Sequence, residues 1–135
     1  MAVLEKLPNL RLLRLNDEAY LGSEMVCSAG GFPKLETLRL CQLSSLKEWR
    51  VEKDAMPSLK RLDIEDNPEL RMVPQGLKSV TILQLLNIVS MTKSFEERLR
   101  VNEDGIEGED FDKVRHVASI SFLDTTKSNR TIFVG

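Results

Sequence analysis

Met56-Pro57-Ser58-Leu59-Lys60-Arg61-Leu62-Asp63-Ile64 is a second copy of Phe32-Pro33-Lys34-Leu35-Glu36-Thr37-Leu38-Arg39-Leu40 and a third of Leu7-Pro8-Asn9-Leu10-Arg11-Leu12-Leu13-Arg14-Leu15. Leu77-Lys78-Ser79-Val80-Thr81-Ile82-Leu83-Gln84-Leu85 continues the series without its proline. Units thus begin at 7, 32, 56 and 77, with start-to-start differences of 25, 24 and 21. Self-similarity at such periods means that each unit is too small to bury its own apolar side, so the units must stack into a solenoid.

The L-x-x-L-x-L core and its period are those of a leucine-rich repeat. Six residues after each last strand leucine comes another apolar residue, Leu21, Leu46, Leu70 or Met91, and three further on Trp49 and Val73 match where the other units have Glu24 and Ser94. The expected fold is an α/β leucine-rich-repeat solenoid, with short parallel strands on the concave face, irregular loops or short helices on the convex face, and a C-terminal cap. Residues 1–93 are expected to form the repeats, 94–122 a capping element with an acidic loop, and 123–135 a disordered tail, the alternative being that Ile132-Phe133-Val134 docks as an extra strand. Trp49, aligned with Val73, is expected as convex-side core, and Asn67 falls where such repeats place an asparagine that bonds backbone between coils. Pro74 and Gly76 are expected to turn the chain into the fourth unit.

In a strand alternate side chains face opposite ways, so Leu13/Leu15, Leu38/Leu40, Leu62/Ile64 and Leu83/Leu85 point inward and the residues between them point out. The outward positions line up as Leu12-Thr37-Arg61-Ile82 and Arg14-Arg39-Asp63-Gln84, with Arg11-Glu36-Lys60-Thr81 beside them. These columns form the candidate partner-binding face, or else a plain solvated one whose mixed charges resist aggregation. Ile82 and Leu86 are apolar where earlier units are mostly polar, which calls for a cover: the folded-back cap, or a partner. A flat face without lids suits recognition of another protein better than binding a small-molecule substrate.

The net charge of −2, from 19 basic and 21 acidic residues, argues against nucleic acid as partner, since such binding needs a basic excess. Residues 96–112 hold eight acids against Arg98 and Arg100, leaving this stretch at −6 and the remainder at +4. Val101 to Lys113 does not fit an EF-hand template, and a solvated acidic loop is the expectation there. The longest uncharged apolar run, Ser79 to Thr92, is 14 residues against the roughly 20 that a membrane span needs. No secretory signal is evident at the start, Cys27 and Cys41 lack a metal-like spacing, and a cytoplasmic protein with reduced thiols is expected, a disulfide between the two being the alternative. His116 is the sole histidine, placed as a structural residue, and no nucleophile sits in a catalytic setting. No enzyme activity, cofactor or metal is expected.

Leu46-Lys47-Glu48-Trp49-Arg50-Val51-Glu52 with Ala55-Met56-Pro57-Ser58-Leu59 resembles the "LKEW-x-V-E … AMP-x-L" phrase of plant intracellular disease-resistance receptors of the coiled-coil, nucleotide-binding, leucine-rich-repeat class. Asn67 to Leu77 is similar to their "C-x-K-L-x-x-L-P-x-G-L" unit, with Asn67 in place of the cysteine. Gly108-Glu109-Asp110-Phe111-Asp112-Lys113-Val114-Arg115-His116 looks like their closing "G-x-D-[YF]-x-K-V-x-H". The resemblance implies the C-terminal repeat region of such a receptor, which senses a pathogen effector or a guarded host protein and restrains a nucleotide-binding switch. No G-x-x-x-x-G-K-[ST] loop occurs in the chain, so ATP binding is not expected of it. With only six residues before the first unit, the chain reads as a fragment or a truncated relative. The alternative function is a free-standing scaffold or regulator that binds a full-length receptor.

Overall fold

Short apolar alternations become strands wherever neighbouring units supply the hydrogen-bonding edge. The computed structural model describes residues 3–16, 22–124 and 131–134. The strands are β1 (Leu12–Leu15), β2 (Glu24–Cys27), β3 (Thr37–Cys41), β4 (Glu48–Val51), β5 (Arg61–Glu65), β6 (Leu85–Val89), β7 (Ser119–Leu123) and β8 (Thr131–Val134). One sheet runs β1-β3-β5-β6-β7-β8, parallel throughout except for β8, and β2 pairs with β4, also parallel, in a second sheet. The leucine-rich-repeat solenoid expected from the sequence is the observed architecture.

Two inward columns run across the main sheet, Leu13-Leu38-Leu62-Leu86-Ile120 and Leu15-Leu40-Ile64-Ile88-Phe122. From the second unit onward every member is almost wholly buried. Each such side chain contributes about 1.5–3 kcal/mol relative to exposure, and only because the next unit covers it. On the opposite side Met25 pairs with Trp49 and Cys27 with Val51, all four pointing into the same core. The first unit's counterpart of Trp49 is therefore Met25, not Glu24, because that unit carries one extra residue. Leu21 lies outside the described residues.

The fourth unit corrects the sequence alignment. Leu62 sits beside Leu86 and Ile64 beside Ile88, so the unit starts at 80 and the period returns to 24. In this frame Leu83, Leu86 and Ile88 are all buried and Asn87 faces out. The frame inferred from Leu77 would have turned Leu86 and Ile88 to solvent and Asn87 inward. Leu77 is instead buried within a 3-10 turn, Gln75–Ser79. Gly76 serves that turn by close approach, since a Cβ there would lie 1.8 Å from the Val51 carbonyl oxygen.

Polar links recur at the same spacing. Gln42, Asp66 and Ser90, each following a strand, have positive φ (53, 47 and 49°) and donate their N–H to the carbonyls of Glu65, Val89 and Leu123 in the next unit. Asn67 is fully buried: its Oδ1 accepts from Leu43 N at 2.9 Å and its Nδ2 donates to Leu40 O at 3.1 Å. At the first unit Glu5 is buried, its Oε2 accepting from Ser28 N at 2.9 Å. A side chain on Gly31 would collide with that carboxylate.

The closing segment is part cap and part repeat. Helix α1 (Lys93–Leu99) starts at Thr92, whose Oγ1 accepts from Phe95 N, and buries Phe95 and Leu99. Helix α2 (Phe111–Val114) follows, and β7 then adds a further parallel strand to the main sheet. Thr131–Val134 pairs antiparallel with β7, the alternative to a disordered tail; residues 125–130 lie outside the described residues. Leu86→Ala is expected to lower unfolding stability by about 2–5 kcal/mol and Ile82→Ala by under about 1 kcal/mol. Urea denaturation of the two variants checks the register.

Candidate protein-recognition surface

Because β-strand side chains alternate, burying the leucine columns forces the intervening residues into rows on the other face. The observed rows are Leu12-Thr37-Arg61-Leu85-Ser119 and Arg14-Arg39-Asp63-Asn87-Ser121. Backbone bonds from Glu36 to Arg11, Lys60 to Glu36 and Gln84 to Lys60 set a third row just before the strands. Gln84 thus belongs beside Lys60, not beside Asp63. Thr81 leaves the row, and Ile82 is 40% exposed outside the strands. Leu86, expected on the face, is core. The face residues that the sequence reading missed are Leu85, Asn87, Ser119 and Ser121; the first two follow once the period of 24 is carried into the fourth unit, whereas the serines come 34 residues after them, beyond α1 and α2.

Asp63 is the hub of the face, its side chain only 6% exposed. Its Oδ1 accepts from Arg61 Nε at 3.1 Å and from Asn87 Nδ2 at 2.7 Å. Arg39 Nε lies 3.2 Å from its Oδ2, an ion pair without hydrogen-bond alignment. Asn87 Oδ1 in turn accepts from Ser121 Oγ at 2.7 Å, so one polar chain crosses β3, β5, β6 and β7. The carboxylate ion-pairs with two half-exposed guanidinium groups. Arg11 and Glu36 pair at 2.7 Å in the open, where such a bond adds little stability. Leu12, 60% exposed, provides an apolar patch beside these cations.

Five basic residues (Arg11, Arg14, Arg39, Lys60, Arg61) face outward here against Glu36, Asp63 and Glu65, although the chain as a whole is −2. At the C-terminal ends of the strands Arg14, Gln42, Glu65, Asp66, Ser90, Met91 and Asp124 line a depression of about 320 Å³. Cys41 is buried, and its thiol is pushed up by burial and by Glu65. Burial also raises Cys27 to about 11, against a smaller lowering from Trp49. Both cysteines are free thiols and, so shifted, poor nucleophiles near neutral pH. Among the described residues no cluster suited to a metal ion occurs, and no helix is long and apolar enough to cross a membrane.

The residues of the closing motif have structural partners. Gly108 packs so tightly on α1 that a Cβ would lie 2.2 Å from Glu97 O. Asp110, buried, holds Arg98 Nε at 2.8 Å and Lys113 Nζ at 2.8 Å. Lys113 also donates to Val73 O at 3.0 Å, Val114 is core, and His116 Nε2 meets Val80 O at 3.0 Å. Residues 101–107 are exposed throughout, and the acidic stretch is tied down by ion pairs at its C-terminal side, where Glu107 pairs with Arg115, Glu109 with Arg98 and Asp112 with Lys78.

The chain is 43% identical over 123 residues to the probable disease resistance RPP8-like protein 2 of Arabidopsis thaliana, covering 91% of this chain and 13% of that protein. It is 42% identical to disease resistance protein RPP8 of the same plant, with the same coverage, and 39% identical to disease resistance RPP8-like protein 3 over 96% of this chain and 14% of that protein. The chain thus spans about an eighth of the length of the relatives it matches. No protein-family model and no solved structure matches it. Asp63→Ala, which strands two guanidinium groups and Asn87, is expected to cost about 1–3 kcal/mol, below the full cost of breaking a buried pair because the arginines remain partly hydrated. Urea unfolding of the variant checks this.

Proposed function

The chain is homologous to a segment of plant disease-resistance proteins, and we propose that it is a non-enzymatic recognition segment of such an immune receptor. It acts inside the cell, where its strand face contacts a protein, either a pathogen effector or a guarded host protein, and it helps to restrain a nucleotide-binding switch elsewhere in the receptor.

The observation that carries this reading is the pre-ordered basic face. Arg39 and Arg61 are oriented by Asp63, so less side-chain freedom is lost when a partner docks. The excess of cations selects a partner surface rich in carboxylates and speeds its encounter. Leu12 and the half-buried Leu85 supply apolar contact within the same rows. A ligand so recognised is a surface rather than a small molecule, in keeping with an open sheet.

Arg39 and Arg61 neutralise Asp63, so reversing their charge would damage the fold along with the face. Arg14 and Lys60 are the cleaner choice. In leaves expressing a receptor that contains this segment, Arg14→Glu with Lys60→Glu is expected to abolish the immune cell-death response or make it constitutive, at unchanged protein level. An unaltered response at equal accumulation would overturn the reading.

A further inference from the structure

The segment between α1 and α2 carries apolar side chains that the core does not use. Val101 and Glu107 form an antiparallel bridge, and Asn102 Oδ1 accepts the N–H groups of Asp104 and Ile106, each at 2.9 Å. Gly105, at φ 79°, allows the tight reversal. This hairpin leaves Ile106 64% exposed and Val101 39% exposed. Both line a depression of about 530 Å³ with Glu97, Arg100, Glu103 and Glu107. Its volume falls within the range of about 300–1,000 Å³ typical of ligand-binding clefts.

The charges around it are unequally committed. Glu107 is held by Arg115, and Arg100 lies over the Phe122 ring at 4.5 Å with Glu96 beside it at 3.8 Å. Glu97 has only Lys93, at 3.9 Å and highly exposed. Among the described residues no cation pairs with Glu103. The cleft thus presents two aliphatic side chains next to two carboxylates open to a cation.

We propose that this hairpin cleft is a second docking site, independent of the strand face, and that it takes a short segment of a partner protein bearing a lysine or arginine next to an aliphatic or aromatic side chain. The apolar neighbour covers Ile106 and Val101 while the cation meets Glu97 and Glu103. Neither part suffices alone: exposed ion pairs are weak, and two aliphatic side chains form a small patch. Together they define a basic-apolar sequence and discriminate against acidic ones.

A random twelve-residue peptide library displayed on phage and selected on the 135-residue chain provides the test. Selected peptides should be enriched in basic-apolar pairs, and synthetic versions should lose about tenfold or more in affinity, about 1.4 kcal/mol per decade, for Ile106→Asp and for Glu97→Gln with Glu103→Gln. Binding to Arg14→Glu with Lys60→Glu should be unchanged. Ile106 is solvent-facing, so the melting temperature of its variant should match the parent and establish that the fold is intact. Failure to select any peptide, absence of basic-apolar pairs from the peptides that still bind Arg14→Glu with Lys60→Glu, or equal binding to Ile106→Asp would overturn the proposal and leave the reading of the strand face untouched.

Discussion

Everything in this molecule depends on one unit covering the leucines of the unit before it. A single nine-residue repeat has no second layer to bury Leu38 or Leu40 against, so its strand forms only as a rung in a ladder. The inward columns from Leu38 to Ile120 and from Leu40 to Phe122 are the vertical seams of that ladder. Alternation along each strand then places the polar residues in rows on the outer face. The outer strand face is thus a by-product of core burial, its composition free to vary while the leucines hold the frame.

Apolar seams alone would let neighbouring strands slide, and a one-residue slip would turn every leucine outward. Several polar devices oppose such a slip. The left-handed residues Gln42, Asp66 and Ser90 pass an N–H to the following unit at intervals of 24 residues. Asn67 reaches back to both Leu40 and Leu43 and leaves neither of its own polar atoms unsatisfied. On the outer face the chain from Arg39 through Asp63 and Asn87 to Ser121 repeats the same registration with side chains. The ion pairs of Asp110 with Arg98 and Lys113, and the bond from Lys113 to Val73, fasten the cap to the convex side.

The repeat period and the inward leucines of the first three units were legible because proline, apolar spacing and strand alternation all agree there. The fourth unit misled because it lacks the proline and offers two overlapping apolar frames, Leu83/Leu85 and Leu86/Ile88. Only pairing against Leu62 and Ile64 decides between them, and that is long-range information. The same displacement put Leu86 on the face and hid Asn87, while Ser121 was hidden because β7 returns to the sheet only after α1 and α2. The acidic stretch is exposed at 101–107 as its composition suggests, but its ion pairing was not legible. Composition reports its charge, but the ion pairs of Asp110 and Glu109 with Arg98 span 11 or 12 residues and exist only once Gly108 lets the chain fold onto α1. The closing motif resembled a family signature, and its physical meaning is now plain: each of its residues named in the pattern has a packing, hydrogen-bonding or ion-pairing role, with Phe111 under the Arg115 guanidinium.

Two surfaces of opposite character result from this frame, a basic strand face centred on Asp63 and an acidic-apolar cleft on the cap. Both stand or fall with the register that positions them, and the β5 to β6 step is where an alternative frame competes. Backbone nuclear Overhauser contacts between those strands, measured on the isotopically labelled chain, are the most direct test. The structure predicts contacts that set Leu62 beside Leu86 and Ile64 beside Ile88. Contacts that instead set Leu62 beside Leu83 and Ile64 beside Leu85 would contradict it.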